Sequence, residues 1–439
     1  TKQDLGLDIL DGMASMVDKS LAQQLDQGAG ESRYAMLETI REYGLEHLAA
    51  SSEEAPTRRA HAAYCLVLAE EGTAASNEDA APSEWLDRFE LEHDNFRAAL
   101  EWLTQSGNAD WGMRLGGALF RFWETREHFT EGRDRLAKLL KLPSAAARTR
   151  ERARALFSAG VLAGDQGDYA TADTLAGESL EIARELNDKA AIAVSLNALA
   201  VFSRDRGELE AARVLFEESL KAWRELGDTM AVARALSNLA SVVKLQGDYA
   251  RARALYEECR VIFTQLGDRT GMAWSLDYQG DVARDQGELD AARALYEQSL
   301  AAFRDLGDQW GTAGTLADLG NLALDRRDYA AAHSRYGESL RIFQELGHKR
   351  GIARLLGDFA CSAAAQSQPE RALRLAGAAA ALRQTLGAPL PAAEHARLEK
   401  SLDPARLALP GAASAAAWME GWGMPVEKAI EYALSPAAA

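Results

Sequence analysis

Ala-Arg-Ala-Leu-Ser-Asn-Leu-Ala (233–240) and Ala-Arg-Ala-Leu-Tyr-Glu-Glu-Cys (252–259) flank the triplet Gly247-Asp248-Tyr249. In both runs apolar residues fall three and four apart, which is the period of an amphipathic helix. The triplet between them is punctuation. Glycine adopts the left-handed conformation that ends one helix. The acidic residue after it can accept the free N–H groups that open the next.

Working outward, the punctuation repeats. Gly167-Asp168-Tyr169, Gly207-Glu208-Leu209, Gly247-Asp248-Tyr249 and Gly287-Glu288-Leu289 recur every 40 residues without an insertion. Arg327-Asp328-Tyr329 keeps the register with the glycine lost, and Ser367-Gln368-Pro369 fills the next slot. A second series shares the period: Leu186-Asn187-Asp188, Leu226-Gly227-Asp228, Leu266-Gly267-Asp268, Leu306-Gly307-Asp308 and Leu346-Gly347-His348. Each unit is therefore helix, tight turn, helix, tight turn. No proline occurs from Asp168 through Gln368, as an uninterrupted helical stack requires.

Three positions stay small in every unit. They are Gly160, Ala200, Ala240, Gly280, Gly320 and Ala360; then Ala172, Ala212, Ala252, Ala292, Ala332 and Ala372; then Ser179, Ser219, Cys259, Ser299, Ser339 and Ala379. Small side chains let paired helices approach, while Phe216, Tyr256, Tyr296 and Tyr336 fill the space opposite. This pattern resembles the tetratricopeptide family, whose repeat of about 34 residues is a helix pair. Here the period is longer and the family's closing proline is missing, which implies longer second helices. The resemblance implies an all-α, right-handed superhelical solenoid. Register carried backwards places Glu127-His128-Phe129 and Gly132 in a first unit, so seven repeats are expected over 110–387, the terminal ones degenerate.

The ends read differently. Residues 1–50 give a helix from Leu7 to Val17, a two-stranded hairpin around a turn at 27–31 containing Gly28 and Gly30, and a helix from Glu38 to Ala50. That order is a winged-helix-like α+β piece. Residues 51–109 are expected to be a helical connector, and 388–439 a helical cap. The words Leu-Asp-Gly-Met-Ala-Ser-Met-Val-Asp-Lys-Ser-Leu (10–21), Tyr-Ala-Met-Leu-Glu-Thr-Ile-Arg-Glu-Tyr (34–43) and Leu-Glu-His-Asp-Asn-Phe-Arg-Ala-Ala-Leu-Glu-Trp (91–102) resemble a specific region. It joins nucleotide-binding core to repeats in bacterial signal-transduction ATPases with numerous domains, the STAND class. The tail from Ala412 to Gly423, with Trp418 and Trp422, and then from Pro425 to Leu434 is similar to the stretch closing the repeat arm in such regulators. Many members regulate transcription through LuxR-type or antibiotic-regulator-type DNA-binding domains. The resemblance implies a sensor arm in contact with an upstream nucleotide-binding domain. ATP and magnesium are expected only there, because no GxxxxGK[ST] string occurs in this chain. Beginning at Thr1, the chain is expected to be a piece of something longer.

Composition limits the partners. Among 439 residues, 66 Asp and Glu outnumber 49 Lys and Arg, a formal charge of −17. Such a chain has no general attraction for phosphate backbones or anionic membranes, so neither nucleic acid nor membrane is an expected partner. Cys65, Cys259 and Cys361 are too scattered for a disulfide framework or a CxxC metal site, which makes a reducing cytoplasm the expected compartment. Cys259 holds a small packing position. None of the seven histidines lies four residues from another, so no helical metal pair forms, and His93 between Glu92 and Asp94 reads as a structural pair or cap. No nucleophile–base arrangement stands out, so catalysis and resident cofactors are not expected.

What remains is a groove. In tetratricopeptide arrays the first helix of each repeat lines a concave face. The matching positions are Asn197, Ser237 and Asp277, then Val201, Ser241, Asp281 and Asn321, then Arg204, Lys244 and Arg284. Polar residues stand there where a core would be apolar. One reading is a groove for a protein, a peptide or a small anionic effector, held by charge-assisted hydrogen bonds. The other is a solvated inner face, its cations answered by neighbouring Asp205 and Asp285. Trp274 and Trp310 read as packing. A free-standing adaptor without an ATPase is the alternative to the sensor arm.

Overall fold

The computed structural model describes residues 9–25, 33–75 and 82–435. It consists of two compact units, Thr1–Ser106 and Gly107–Ala439.

In the first unit α1 (Ile9–Asp18) precedes strands β1 (Gln23–Leu25) and β2 (Arg33–Ala35), followed by α2 (Glu38–Ala49), α3 (Glu54–Ala75) and α4 (Pro82–Gln105). The strands are antiparallel, with Gln24 opposite Tyr34. The turn read at 27–31 lies outside the described residues. Arg33 ties this strand to α4: its Nη1 donates to Glu92 Oε1 at 2.6 Å and its Nη2 to the Leu91 carbonyl at 2.8 Å. Arg33, just ahead of the word at 34–43, thus anchors its strand to the word at 91–102 by one ion pair. Glu92 is buried, and Asn95 Nδ2 donates to its other oxygen.

The second unit is a series of seven helix pairs: α5 (Ala109–Thr125) with α6 (Phe129–Leu140), α7 (Arg150–Asp165) with α8 (Tyr169–Glu185), α9 (Lys189–Asp205) with α10 (Leu209–Leu226), α11 (Thr229–Leu245) with α12 (Tyr249–Leu266), α13 (Arg269–Asp285) with α14 (Leu289–Leu306), α15 (Gln309–Asp325) with α16 (Tyr329–Glu345), and α17 (Lys349–Ala365) with α18 (Pro369–Leu386). The extra length is shared rather than confined to the second helix. First helices from α9 to α17 have 17 residues each, and second helices from α8 to α18 have 17 or 18.

The turns work as the punctuation implies, with two amendments. Gly167, Gly247 and Gly267 are left-handed, and so are the residues that replace glycine: Glu127, Asn187, Arg327 and Ser367. The backbone geometry is therefore imposed by the repeat even where the side chain opposes it. Asp168, Asp188, Asp228, Asp248, Asp268, Asp308 and Asp328 each accept from the N–H three residues on. Glu208 and Glu288 do not cap. One methylene longer, they reach sideways to Arg206 and Arg253 instead.

Burial explains the small positions. Ala172, Ala212, Ala252, Ala292, Ala332 and Ala372 have no exposure at all. At Gly320 a Cβ would lie 2.4 Å from the Tyr336 ring, so this ring sits where a side chain would be. The serine column does more than save space. Ser179, Ser219, Ser299 and Ser339 each donate through Oγ to the carbonyl 26 residues earlier, at 2.6–2.9 Å, stitching a second helix to its first. Cys259 keeps the contact with Ala233 at 3.3 Å, and burial pushes its thiol up to about 12, so it is inert packing.

Three further helices, α19 (Ala392–Leu407), α20 (Gly411–Trp422) and α21 (Val426–Leu434), cover the apolar end of the last pairs. α20 crosses α18 so closely that a Cβ on Gly421 would sit 1.9 Å from the Arg374 carbonyl oxygen. Arg371 closes the chain by donating to the Tyr432, Ala433 and Ser435 carbonyls. Among the described residues no helix is long and apolar enough to cross a membrane.

Candidate functional site

Successive first helices touch directly (α7 with α9, α13 with α15, α15 with α17). The first helices thus form the crowded inner layer of the curve. The polar rows read from the sequence lie on that layer, and the structure joins them across repeats.

At one level Asn238 Nδ2 donates to Asn197 Oδ1 at 2.8 Å, linking α11 to α9. Ser237 is half-buried beside them. Ser241 turns inward and donates to its own Asn238 carbonyl at 2.7 Å. One repeat on, Tyr296 O–H donates to Asp281 Oδ1 at 2.8 Å, and two repeats on, Tyr336 O–H donates to Asn321 Oδ1 at 3.1 Å. In these two repeats the tyrosine that fills the core therefore also fixes the groove residue above it.

The cations are not free. Arg204 pairs with Asp205 at 2.8 Å, as its sequence neighbour suggests. Lys244 reaches instead across to the next repeat, to Asp281 at 2.9 Å and less closely to Asp285 at 3.7 Å. Arg284 passes over its neighbour Asp285 and binds Asp325 on α15 at 2.5 Å. Arg354, which the sequence reading did not single out, binds Asp318 at 2.6 Å and lies 3.9 Å from Asp358. Its place was legible only after the fact: it sits in α17 at the position Trp274 holds in α13. Each of these guanidinium or ammonium groups is thus already paired with a carboxylate.

The acids are in excess. Asp277, Asp281, Asp285, Asp318, Asp325 and Asp358 share this stretch with Lys244, Arg284, Arg354 and Arg397, the last acting on Asp358. Burial opposes ionisation of Asp281, yet the Lys244 charge and hydrogen bonds hold its carboxyl below the usual value. Burial raises Asp318 and Asp358 in spite of Arg354. Asp277 is the extreme case. Only 2% exposed, it is raised by burial and by the charges of Asp318 and Asp281, and its Oδ1 has no hydrogen-bond partner.

Next to the acids runs an aromatic shelf. Trp274 stacks on Tyr278 with ring centres 5.8 Å apart, meets Phe303 at 4.7 Å and Trp310 at 5.0 Å, and Tyr278 meets Tyr256 at 5.4 Å. Trp274 is partly packed as read, but Trp310 is half exposed.

The two ends of the array meet. The Arg350 N–H donates to Glu127 Oε1 at 2.9 Å, its guanidinium lies 3.3 Å from Asp165, and it covers the Phe129 ring at 4.3 Å. These partners are 185 and 223 residues away in the chain. Pro389 packs against Gly167 at the same seam. Burial raises Asp165 there, and His348 alongside is lowered by burial, with its Nδ1 accepting from the Gly351 N–H.

Comparison with known proteins follows this geometry. The tetratricopeptide-repeat family model matches residues 191–265, 231–305 and 269–345. Proteins named "Putative HTH-type transcriptional regulator" from Mycobacterium tuberculosis and Mycobacterium bovis are 32% identical over 197 residues, covering 43% of this chain and 22% of theirs. The chain therefore spans about a fifth of the length of the curated relatives it matches. Among solved structures, a STAND protein with a tetratricopeptide repeat sensor from Pyrococcus horikoshii is similar with a TM-score of 0.46 at 13% identity, over 92% of this chain and 58% of that one. A Rap protein complexed with competence and sporulation factor gives a TM-score of 0.45 at 15% identity, over 71% and 96%. The helix pairs of residues 191–345 are tetratricopeptide repeats.

Proposed function

We propose that this chain is the partner-sensing arm of a cytoplasmic STAND-type ATPase that regulates transcription, and that the inner groove over α9 to α17 takes a protein or peptide segment. The observation that carries the reading is the polar, cross-linked inner layer of a tetratricopeptide array, where a purely structural layer would be apolar. The sequence words at 10–21, 34–43 and 91–102 support attachment to a nucleotide-binding core, and the Arg33–Glu92 pair ties the strand that opens the second word to the helix that carries the third. The relatives named as HTH-type regulators support a transcriptional output. An occupied groove would alter how the array packs on that core, and so bias ATP-dependent assembly.

The charge balance favours partners that bring hydrogen-bond donors or positive charge over a small anion. Lys244 and Arg284 are spent on the next repeat and Arg204 on its own neighbour Asp205, and an arriving carboxylate or phosphate would meet surplus acid. The experiment is a promoter-reporter assay with the intact protein and with a version lacking residues 110–387. Loss of signal-dependent output, with basal output retained or unleashed, is expected. Output that follows the signal equally well without the arm overturns the reading.

A further inference from the structure

We propose that the rung formed by Asp277 and Asp318, on the groove floor between α13 and α15, receives a guanidinium group carried by an arginine-containing peptide. The proposal rests on the groove reading above and names the chemistry of its ligand.

Asn197 and Asn238 are 41 positions apart and form a closed donor–acceptor pair between adjacent first helices. Two repeats later the same two positions are Asp277 and Asp318. Two amides satisfy each other; two ionised carboxylates offer acceptors and no donor, and a proton on one supplies a single donor at most. Arg354 takes Asp318 at 2.6 Å, which leaves Asp277 Oδ1 buried and unpartnered. A buried carboxyl oxygen without a donor is costly to keep, and a donor group brought by a ligand relieves that cost.

The chain itself shows which group suits the place. The guanidinium of Arg354 is held by this acid row, while its side chain remains 46% exposed. Beside the rung, Trp274 stacked on Tyr278 and the half-exposed Trp310 offer flat faces. A planar guanidinium can lie on such faces while donating edge-on to carboxylates, which a compact ammonium does less well. The surroundings are acidic overall, since six aspartates share this stretch with four cations.

Arrival of a cation also moves a proton. The groups acting on Asp277 are Asp281 and Tyr278 of its own helix, Thr315 and Asp318 of α15, and Arg354 of α17. Lys244 of α11 and Tyr296 of α14 act through Asp281. Burial disfavours the Asp277 carboxylate and a bound guanidinium favours it, so binding releases a proton to solvent wherever the raised carboxyl still carries one. Affinity must then tighten as pH rises, by at most ~10-fold per pH unit for one released proton.

The test uses the whole chain and a fluorescein-labelled peptide of alternating Arg and Gly, with citrulline replacing Arg as the neutral control, read by fluorescence anisotropy. The arginine peptide is expected to bind ~10-fold or more tightly than the citrulline peptide. Asp277→Asn, nearly isosteric, is expected to lose that preference and the pH dependence while melting cooperatively; Asp318→Asn is the second variant with the same expectation. Glu258→Gln, on outer helix α12, is expected to change nothing. Arginine binding that Asp277→Asn and Asp318→Asn leave intact, or that Glu258→Gln weakens equally, overturns the rung. Ser241→Arg, which crowds the groove, separates the two claims. If it alone blocks the peptide, the groove stands and the rung falls; if nothing on the inner layer affects binding, both fall.

Discussion

Ser299 and Arg327 mark the two limits of what a single residue discloses. In the sequence Ser299 is one of a column of small residues, and smallness alone accounts for it. In the structure its hydroxyl reaches the Ala273 carbonyl at 2.9 Å inside the core. Periodicity reports volume, not the direction of an O–H, so that bond could not be read beforehand. Ser299→Ala is expected to lower stability by about 1 kcal/mol in chemical denaturation, the usual net value of one such bond; an unchanged midpoint would make the column steric only. Arg327 is the converse. Register alone places it in a glycine slot, and it holds a φ of 58°. Arg327→Gly is expected to raise stability by roughly 1 kcal/mol, since the left-handed strain of a residue with Cβ is removed.

At the scale of helices, turns and partners within a repeat were legible because each leaves a mark in phase. Contacts between first helices were not. Sequence proximity assigns Arg284 to Asp285, whereas geometry sends it to Asp325 and sends Lys244 to Asp281, because inner-layer neighbours lie one repeat away rather than one residue away. Charge inversion there is consequently not the neutral surface change that the sequence alone suggests. Lys244→Glu would set a third acid against Asp281 and Asp285 and is expected to cost ~2 kcal/mol or more, seen as a lower denaturation midpoint. The opposite sign is expected at the rung. Asp277 is raised in the folded protein, so its contribution is full below the unfolded carboxyl value and is lost as pH rises through the raised one. Asp277→Asn should therefore melt above the wild type near neutrality, with the gap closing towards acid. A gap independent of pH would show that Asp277 is not the titrating group. The crossing of α18 and α20 is tighter than any pattern of small residues reveals. Gly421→Ala should detach the C-terminal helices, read as faster amide exchange across α20 and α21.

For the repeat unit as a whole, the seven-pair count followed from register, but the meeting of its ends did not. Nothing in a local pattern says that Arg350 will face Glu127 and Asp165, since that contact is the accumulated result of small rotations between successive pairs. The seam closes the array on itself where Arg350 meets Glu127 and Asp165. Arg350→Ala is expected to open it. Energy transfer between dyes on the α5–α6 turn and on the 387–389 turn should fall, with the helix content unchanged. Transfer equal to that of the wild type would show that packing around Pro389 holds the ends without Arg350.

The central claim is that the inner layer, not the outer one, is the recognition surface. It is tested most directly by placing a photo-crosslinking amino acid at Ser241, in the groove, or at Val214, exposed on the outer helix α10, in the intact protein within its own cells. A discrete adduct from position 241 and none from position 214 is predicted. Adducts from position 214 alone would contradict the account and move recognition to the outer helices.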